Sequence, residues 1–320
     1  MQSEIPSGVG GVRVLALIPL PQQMRAALED AYALCAPSGV SNGVLAIPPG
    51  AAPIRVVVTN GSTGITSGQI EQLPALEIIC ASGAGYENVD VAAASARGIL
   101  VTHTPGANDA TVADHALGLM LALARGFTVL DAAVRRGEWH QARTERATLN
   151  GSRIGIIGLG RIGAKIAARA AAFDMQVSYC ARHPHLEVPW RHSANVEQLA
   201  RESDFLVAAC PGGAATRHLV NAAVLKALGP EGFLVNISRG SVVDTAALIA
   251  ALESGAIAGA GLDVFEGEPA IPAALPACRN TVFTPHIAGR SPASIAAQTD
   301  MLLASLAAHF GGQSVPSLVP

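Results

Sequence analysis

The 320-residue sequence has little charge and none of the cysteine patterns that bind metals or staple small folds. Charged residues make up only 14% of it, the net charge is −3, and Lys and Arg form no cluster. That argues against nucleic acid or an anionic membrane as the main partner. The five cysteines (Cys35, Cys80, Cys180, Cys210, Cys278) are odd in number, widely spaced and without a C-x-x-C. They read as buried hydrophobes of a reducing compartment, so neither a disulfide framework nor a metal site is expected. The opening MQSEIPSGVGGVRV lacks the basic region and apolar core of a signal peptide, and the longest helical apolar stretch, Ala116 to Ala124, is too short to span a bilayer. A soluble, cytoplasmic protein with no membrane partner is the expectation. Internal repeats and low-complexity tracts are missing too.

What is present is apolar and ordered. Half the residues are hydrophobic, and the length suits two domains better than one. Val12–Ile18, Ile54–Thr59, Leu76–Ala81 and Gly98–Thr102 are strand-like runs, with a helix around Met24–Tyr32. Continuous apolar strands alternating with helices imply a parallel sheet covered on both faces. No phosphate-binding fingerprint occurs in this half, so it is not expected to hold a nucleotide. Pro105 and Gly106 then break the chain, and Asn108 or Asp109 can cap a helix that is apolar nearly all round from Val112 to Ala124. Such a helix is buried, either in a core or against another subunit. A polar arm, Ala132–Asn150, follows. Six further strands are expected at Arg153–Ile157, Gln176–Cys180, Phe205–Ala208, Phe233–Ile237, Ala260–Val264 and Thr281–Thr284, and a closing helix at Pro292–Phe310. The fold class is therefore α/β with two doubly wound parallel sheets. The second domain, residues 104–287, is inserted into a first made of 1–103 and 288–320, with the substrate expected in the cleft between them.

The second sheet opens with IGIIGLGRIG (154–163), a strand running into G-x-G-x-x-G. Gly158 would allow the tight turn, Gly160 the approach of a pyrophosphate, and Gly163 close packing of helix on strand. The phosphates would lie on the amides of Arg161 and Ile162 at a helix N-terminus. By itself the motif is weak, but the strand before it and the Ala-rich helix after it supply the required context. About 20 residues further on, an NAD site carries an acid for the ribose 2′-hydroxyl. Here the strand ends in CARHPH, with Cys180 and Ala181 where the acid belongs and Arg182, His183 and His185 following. A carboxylate would repel a 2′-phosphate and an arginine attracts one, so NADP(H) is preferred and NAD(H) remains possible. The bland alternative is that Arg182 is a solvated loop residue.

Three stretches, NISRG (236–240), GLDVFEGEP (261–269) and TPHIAG (284–289), each follow a strand of the second sheet. Singly, Arg239, Glu268 and His286 could be an ordinary loop cation, turn acid and loop histidine. Together they put a cation, a carboxylate and an imidazole on one rim beside the nucleotide. With GAGYENVD (83–90), TPGANDATVADHALGLMLALARG (104–126), GLGRIG and ACPGGAATRHLV (209–220), these strings closely resemble the D-isomer-specific 2-hydroxyacid dehydrogenases, in the family's order from about residue 76 to 289. Within that family, ALGPEGFLVNISRG, the missing acid and AAHFGG are most similar to the NADPH-dependent glyoxylate, hydroxypyruvate and hydroxyphenylpyruvate reductases.

The resemblance implies roles. Arg239 would bind the carboxylate and polarise the carbonyl of a 2-oxo acid. His286 would be the general acid as hydride arrives from the nicotinamide, with Glu268 orienting it and favouring its charged form. The amides of Ala84 and Gly85 would hold the substrate carboxylate. Asp263 matches the residue that bonds the nicotinamide amide, and Thr111, Cys210, Pro211, Thr216, Ile237 and Gly289 fall at positions around the cofactor. Loops around Leu20 and Asn60 would wall the substrate's side chain. A homodimer is expected, with Val112–Ala124 and the arm through Trp139 in its interface; Trp139 either reaches the partner's active site or serves the interface alone. Departures from the family pattern are Ala209 and Cys210 where a histidine often precedes the adenine-contacting proline, and Arg290 in place of a small residue, as a second anion contact or a surface charge. The chain stops at Pro320, short of the regulatory extension of many phosphoglycerate dehydrogenases, and Glu268 argues against formate dehydrogenase. The alternatives to a reductase are an NAD-dependent D-lactate or phosphoglycerate type of dehydrogenase and a non-enzymatic nucleotide-sensing protein of the same fold.

Overall fold

A computed structural model describes residues 11–41 and 44–319. They form two compact units: one runs up to Asn108 and resumes at Arg290, the other spans Asp109–Gly289.

In the first unit, strands β1 (Arg13–Ala16), β2 (Ala33–Cys35), β5 (Ile54–Thr59), β6 (Ile78–Ala81) and β7 (Leu100–His103) form a parallel sheet in the order β2-β1-β5-β6-β7. A small antiparallel pair, β3 (Val40–Ser41) and β4 (Val44–Leu45), stands apart from it. The strand-like runs are buried because successive side chains face opposite layers. Val14, Val56, Val58 and Ile78 pack with Met24 and Leu28 of helix α1 (Gln22–Ala31) and with Leu302 and Leu306 of the C-terminal helix, Pro292–Phe310. Leu15, Val57 and Ile79 face the other way, onto Ile70 of α2 (Ser67–Glu71) and Ala94 of α3 (Val91–Ala96). Leu20 belongs to the first of these cores and is buried. Asn60 closes its own turn, accepting from the Thr63 amide at 2.7 Å.

The second unit begins with helices α4 (Asp109–Arg125), α5 (Phe127–Arg135) and α6 (Trp139–Ala142). Its sheet has seven parallel strands: β8 (Arg153–Ile157), β9 (Gln176–Cys180), β10 (Arg191–His192), β11 (Phe205–Ala208), β12 (Phe233–Asn236), β13 (Gly259–Leu262) and β14 (Thr281–Phe283). Their order is β10-β9-β8-β11-β12-β13-β14. In this sheet the strand missing from the sequence reading is β10, two polar residues with no apolar run to announce them; in the first unit the short β2, β3 and β4 were missing as well. Ile154, Ile156, Val207 and Val235 pack on α4 and on α7 (Arg161–Ala172), while Leu206 and Leu234 pack on α8 (Val196–Arg201), α9 (Ala222–Leu228) and α10 (Thr245–Glu253).

One expectation is corrected here. The apolar character of α4 is accounted for within the chain, since Val112, Ala116, Leu119, Met120 and Leu123 are all buried in this core. It therefore gives no argument for a second subunit. The polar arm, Ala132–Asn150, begins within α5 and includes α6, and these two helices leave Phe127, Val129, Val134 and Trp139 exposed. Among the described residues, no single helix is long and apolar enough to cross a membrane.

Candidate active site

Because all seven strands of the second sheet are parallel, their carboxyl ends share one edge, and the order reverses on either side of β8. An open sheet leaves its ligand crevice at such a reversal. Gly158 follows β8 with φ of 93°, and a side chain there would press to 2.8 Å from the Cys210 backbone. At Gly163 a side chain would be driven into the Gly158 carbonyl, which is how closely α7 approaches β8. Gly160 is different: a Cβ built on it meets nothing within 4 Å. Among the described residues nothing occupies that space, and no side chain caps α7, whose first residues are Arg161 and Ile162. Open room over uncapped helix amides fits a pyrophosphate. The Arg161 guanidinium is held by the buried Asp109 carboxylate at 2.7 Å, so Asp109 serves that pair at the start of α4.

Beyond β9, Ala181 is half-buried and its carbonyl meets a ring nitrogen of His192 at 3.1 Å. Arg182 and His183 are exposed. Beyond β11, Thr216 donates to the Pro211 carbonyl at 2.7 Å and closes the turn that carries Cys210. Burial pushes the Cys210 thiol up to about 11 and raises that of Cys180 as well, so neither supplies a thiolate beside the glycine turn. Thr111 lies half-buried in the first turn of α4, and Ile237 is buried just after β12.

The loop after β12 is tied by buried Asn236, whose Oδ1 accepts from the Ser238 amide at 3.1 Å while its Nδ2 donates to the Arg239 carbonyl at 3.0 Å. Next to it, the Gly240 backbone lies against the Phe265 carbonyl too tightly for any side chain. That contact sets the Arg239 loop on the loop bearing Glu268. The latter is fastened through Glu266, which accepts from Thr245 at 2.8 Å and meets His218 at 2.8 Å. Burial pushes the Glu266 carboxyl up, but the His218 and Thr245 hydrogen bonds outweigh it and hold it below the usual carboxylate range.

Asp263, just past β13 and 1% exposed, organises the last loop. Its Oδ1 accepts from the Thr284 hydroxyl at 2.6 Å and the Ile287 amide at 2.9 Å, and its Oδ2 accepts from the Ala288 amide at 2.9 Å. The His286 amide donates to the Asp263 carbonyl at 2.8 Å. Thr284 in turn meets Nε2 of His115, on α4, at 3.0 Å. So held, His286 adopts a φ of 52° and brings Nδ1 to 2.6 Å from Oε1 of Glu268. Glu268 Oε2 accepts from the Phe265 amide at 3.3 Å. A carboxylate on Nδ1 leaves Nε2 as the nitrogen able to pass a proton to a substrate.

Arg239, Glu268, His286, Asp263, Gly289 and the glycine turn thus share one unit and its one carboxyl edge. Ala84 and Gly85 belong to the first unit, in the loop after β6. Sequence reasoning missed Asn236, Thr284, His115 and Glu266, whose hydrogen bonds hold the site loops. Asn236, Thr284 and Glu266 stood inside the quoted motifs. His115 also lay within a quoted string, 104–126, but nothing local marks one polar residue of an apolar helix as a partner of Thr284.

Comparison with known proteins agrees with this geometry. Residues 117–288 match the family model described as D-isomer specific 2-hydroxyacid dehydrogenase, NAD binding domain. The chain is 41% identical over 268 residues to a hydroxyphenylpyruvate reductase of Plectranthus scutellarioides, covering 83% of this chain and 85% of that protein. It is also 41% identical to a glyoxylate reductase of Pyrococcus horikoshii, over 83% of each. Among solved structures, an NADPH-dependent glyoxylate/hydroxypyruvate reductase from Sinorhizobium meliloti, in complex with NADP and malonate, superposes with a TM-score of 0.87 at 34% identity, covering 96% of both chains.

Replacing Asp263 with Asn sets an NH2 group against an amide donor in a buried loop. The Asp263→Asn protein should lose about 2–3 kcal/mol, which lowers the melting temperature of a unit this size by roughly 4–10 °C. Unchanged melting would show that another group holds the loop.

Proposed function

The chain belongs to the D-isomer-specific 2-hydroxyacid dehydrogenase family, and on that premise we propose that it reduces a small 2-oxo acid to the D-2-hydroxy acid with NADPH. Glyoxylate and hydroxypyruvate are the leading substrates, the class named for its relatives. The observation that carries the reading is the 2.6 Å Glu268–His286 pair on the same sheet edge as an uncapped glycine turn. When bound, the nicotinamide supplies the hydride that reaches the carbonyl carbon. The chain's own residues do the rest. Gly158 and Gly163 let the turn and α7 pack closely, Gly160 leaves room for the pyrophosphate, and the amides of Arg161 and Ile162 would hold it. Asp263 keeps the 284–288 loop in place. Arg239 binds the carboxylate of the oxo acid and draws charge toward the carbonyl oxygen. His286 delivers a proton from Nε2 to that oxygen, while Glu268 fixes the ring through Nδ1 and offsets the positive charge. The amides of Ala84 and Gly85 are assigned to the substrate carboxylate.

The cofactor preference rests on position 181. No acid stands after β9, and exposed Arg182 and His183 follow. The proposed homodimer rests on α5 and α6, where Phe127, Val129, Val134 and Trp139 (57% exposed) leave apolar surface uncovered.

Three measurements test this reading. Arg182→Ala should raise KM for NADPH about tenfold, the worth of a charge-assisted hydrogen bond, with little change for NADH. Equal use of both cofactors by the unaltered enzyme would overturn the preference. His286→Asn should cut kcat for glyoxylate reduction by roughly 10²–10⁴ with KM for NADPH nearly constant, and Glu268→Gln should fall between. Near-normal turnover in His286→Asn would end the acid assignment. Sedimentation at micromolar concentration should give a dimer that Trp139→Glu weakens; a monomer would refute the interface.

A further inference from the structure

The assignment of Ala84 and Gly85 to the substrate carboxylate leaves open what turns their amides toward a ligand. The loop after β6 answers this from within the first unit. Gly83, with φ of 116°, is bonded at both ends of its backbone to Thr104. Its amide donates to Thr104 Oγ1 at 2.8 Å, and its carbonyl accepts from the Thr104 amide at 2.8 Å. The next carbonyl, that of Ala84, lies 2.9 Å from Nδ1 of His103. A carbonyl cannot donate, so Nδ1 carries the hydrogen. The His103 ring is kept in place edge-on to Tyr86, with centroids 5.3 Å apart. Among the described residues, the amides of Ala84 and Gly85 have no acceptor.

Peptide planarity makes these facts one device. In a trans peptide the N–H lies antiparallel to the carbonyl of the preceding residue, and the sole cis bond among the described residues is Glu268–Pro269. Anchoring the Gly83 carbonyl on Thr104 therefore aims the Ala84 amide away from the end of β7. Anchoring the Ala84 carbonyl on His103 does the same for the Gly85 amide. Two successive N–H groups pointed out of a loop make a concavity for an anion.

We infer that His103 is a positioning residue for the oxo acid: by holding the Ala84 carbonyl it presents the Gly85 amide, and Thr104 presents that of Ala84, to the substrate carboxylate. The inference rests on the assignment of those two amides, and it adds a residue that need not touch substrate. With His103 replaced by an apolar side chain, the Ala84–Gly85 peptide is free to rotate and the carboxylate loses one preset donor.

The test compares His103→Leu with His103→Asn in the full-length enzyme loaded with NADPH, since the Asn side-chain amide can donate from near the place of Nδ1. In His103→Leu, KM for glyoxylate should rise about tenfold, the worth of one hydrogen bond. KM for NADPH and the melting temperature should stay at their original values. The preference for glyoxylate over glyoxylamide, which lacks the carboxylate, should narrow by a similar factor. His103→Asn should restore most of both. Wild-type KM and preference in His103→Leu would overturn the inference, as would equal impairment of the two variants. Failure of the underlying assignment looks different: Gly85→Pro, which removes that amide outright, would then leave KM for glyoxylate and the preference over glyoxylamide unchanged.

Discussion

A single buried carboxylate organises the chemical edge of the second unit. Asp263 accepts hydrogen bonds from Thr284, Ile287 and Ala288, three donors from one short loop. A buried charge persists only when it is bonded on several sides, and these donors meet that need. In return the loop is closed tightly enough to hold His286 at a positive φ, a conformation costly for a side-chain-bearing residue. Glu268 meets the ring from a neighbouring loop, which Gly240 and Glu266 keep in place. The imidazole is therefore oriented by packing and hydrogen bonds set before any substrate arrives.

The same economy of position governs the glycine turn. Gly158 and Gly163 are small because backbone lies against them, whereas Gly160 is small although nothing in the protein lies near. Its place at the uncapped start of α7 suits the approach of a pyrophosphate. The parallel sheet makes this possible, since it brings the ends of β8, β9, β11, β12, β13 and β14 to one edge, where residues distant in sequence become neighbours.

A comparable logic appears in the first unit with different parts. There the donors are backbone amides, and their direction is set by what holds the carbonyls opposite them. Thr104 and His103 follow one another at the end of β7, so a single strand end serves two successive peptides.

The sequence by itself determined the elements whose burial has a simple period and the motifs whose chemistry is local. Strands such as Ile54–Thr59 and Arg153–Ile157, the C-terminal helix Pro292–Phe310, the glycine turn and the Arg239, Glu268 and His286 motifs were all legible before any coordinates. What it could not determine is which surface covers an apolar face. Val112–Ala124 reads alike whether it packs on its own sheet or on a partner, and only the tertiary structure placed it in the core of its own unit. Residues that act through others were equally hidden. His115, Thr284 and His103 are single polar side chains whose partners lie far off in sequence or across a turn, and no spacing rule encodes a hydrogen bond that exists only once the sheet has formed.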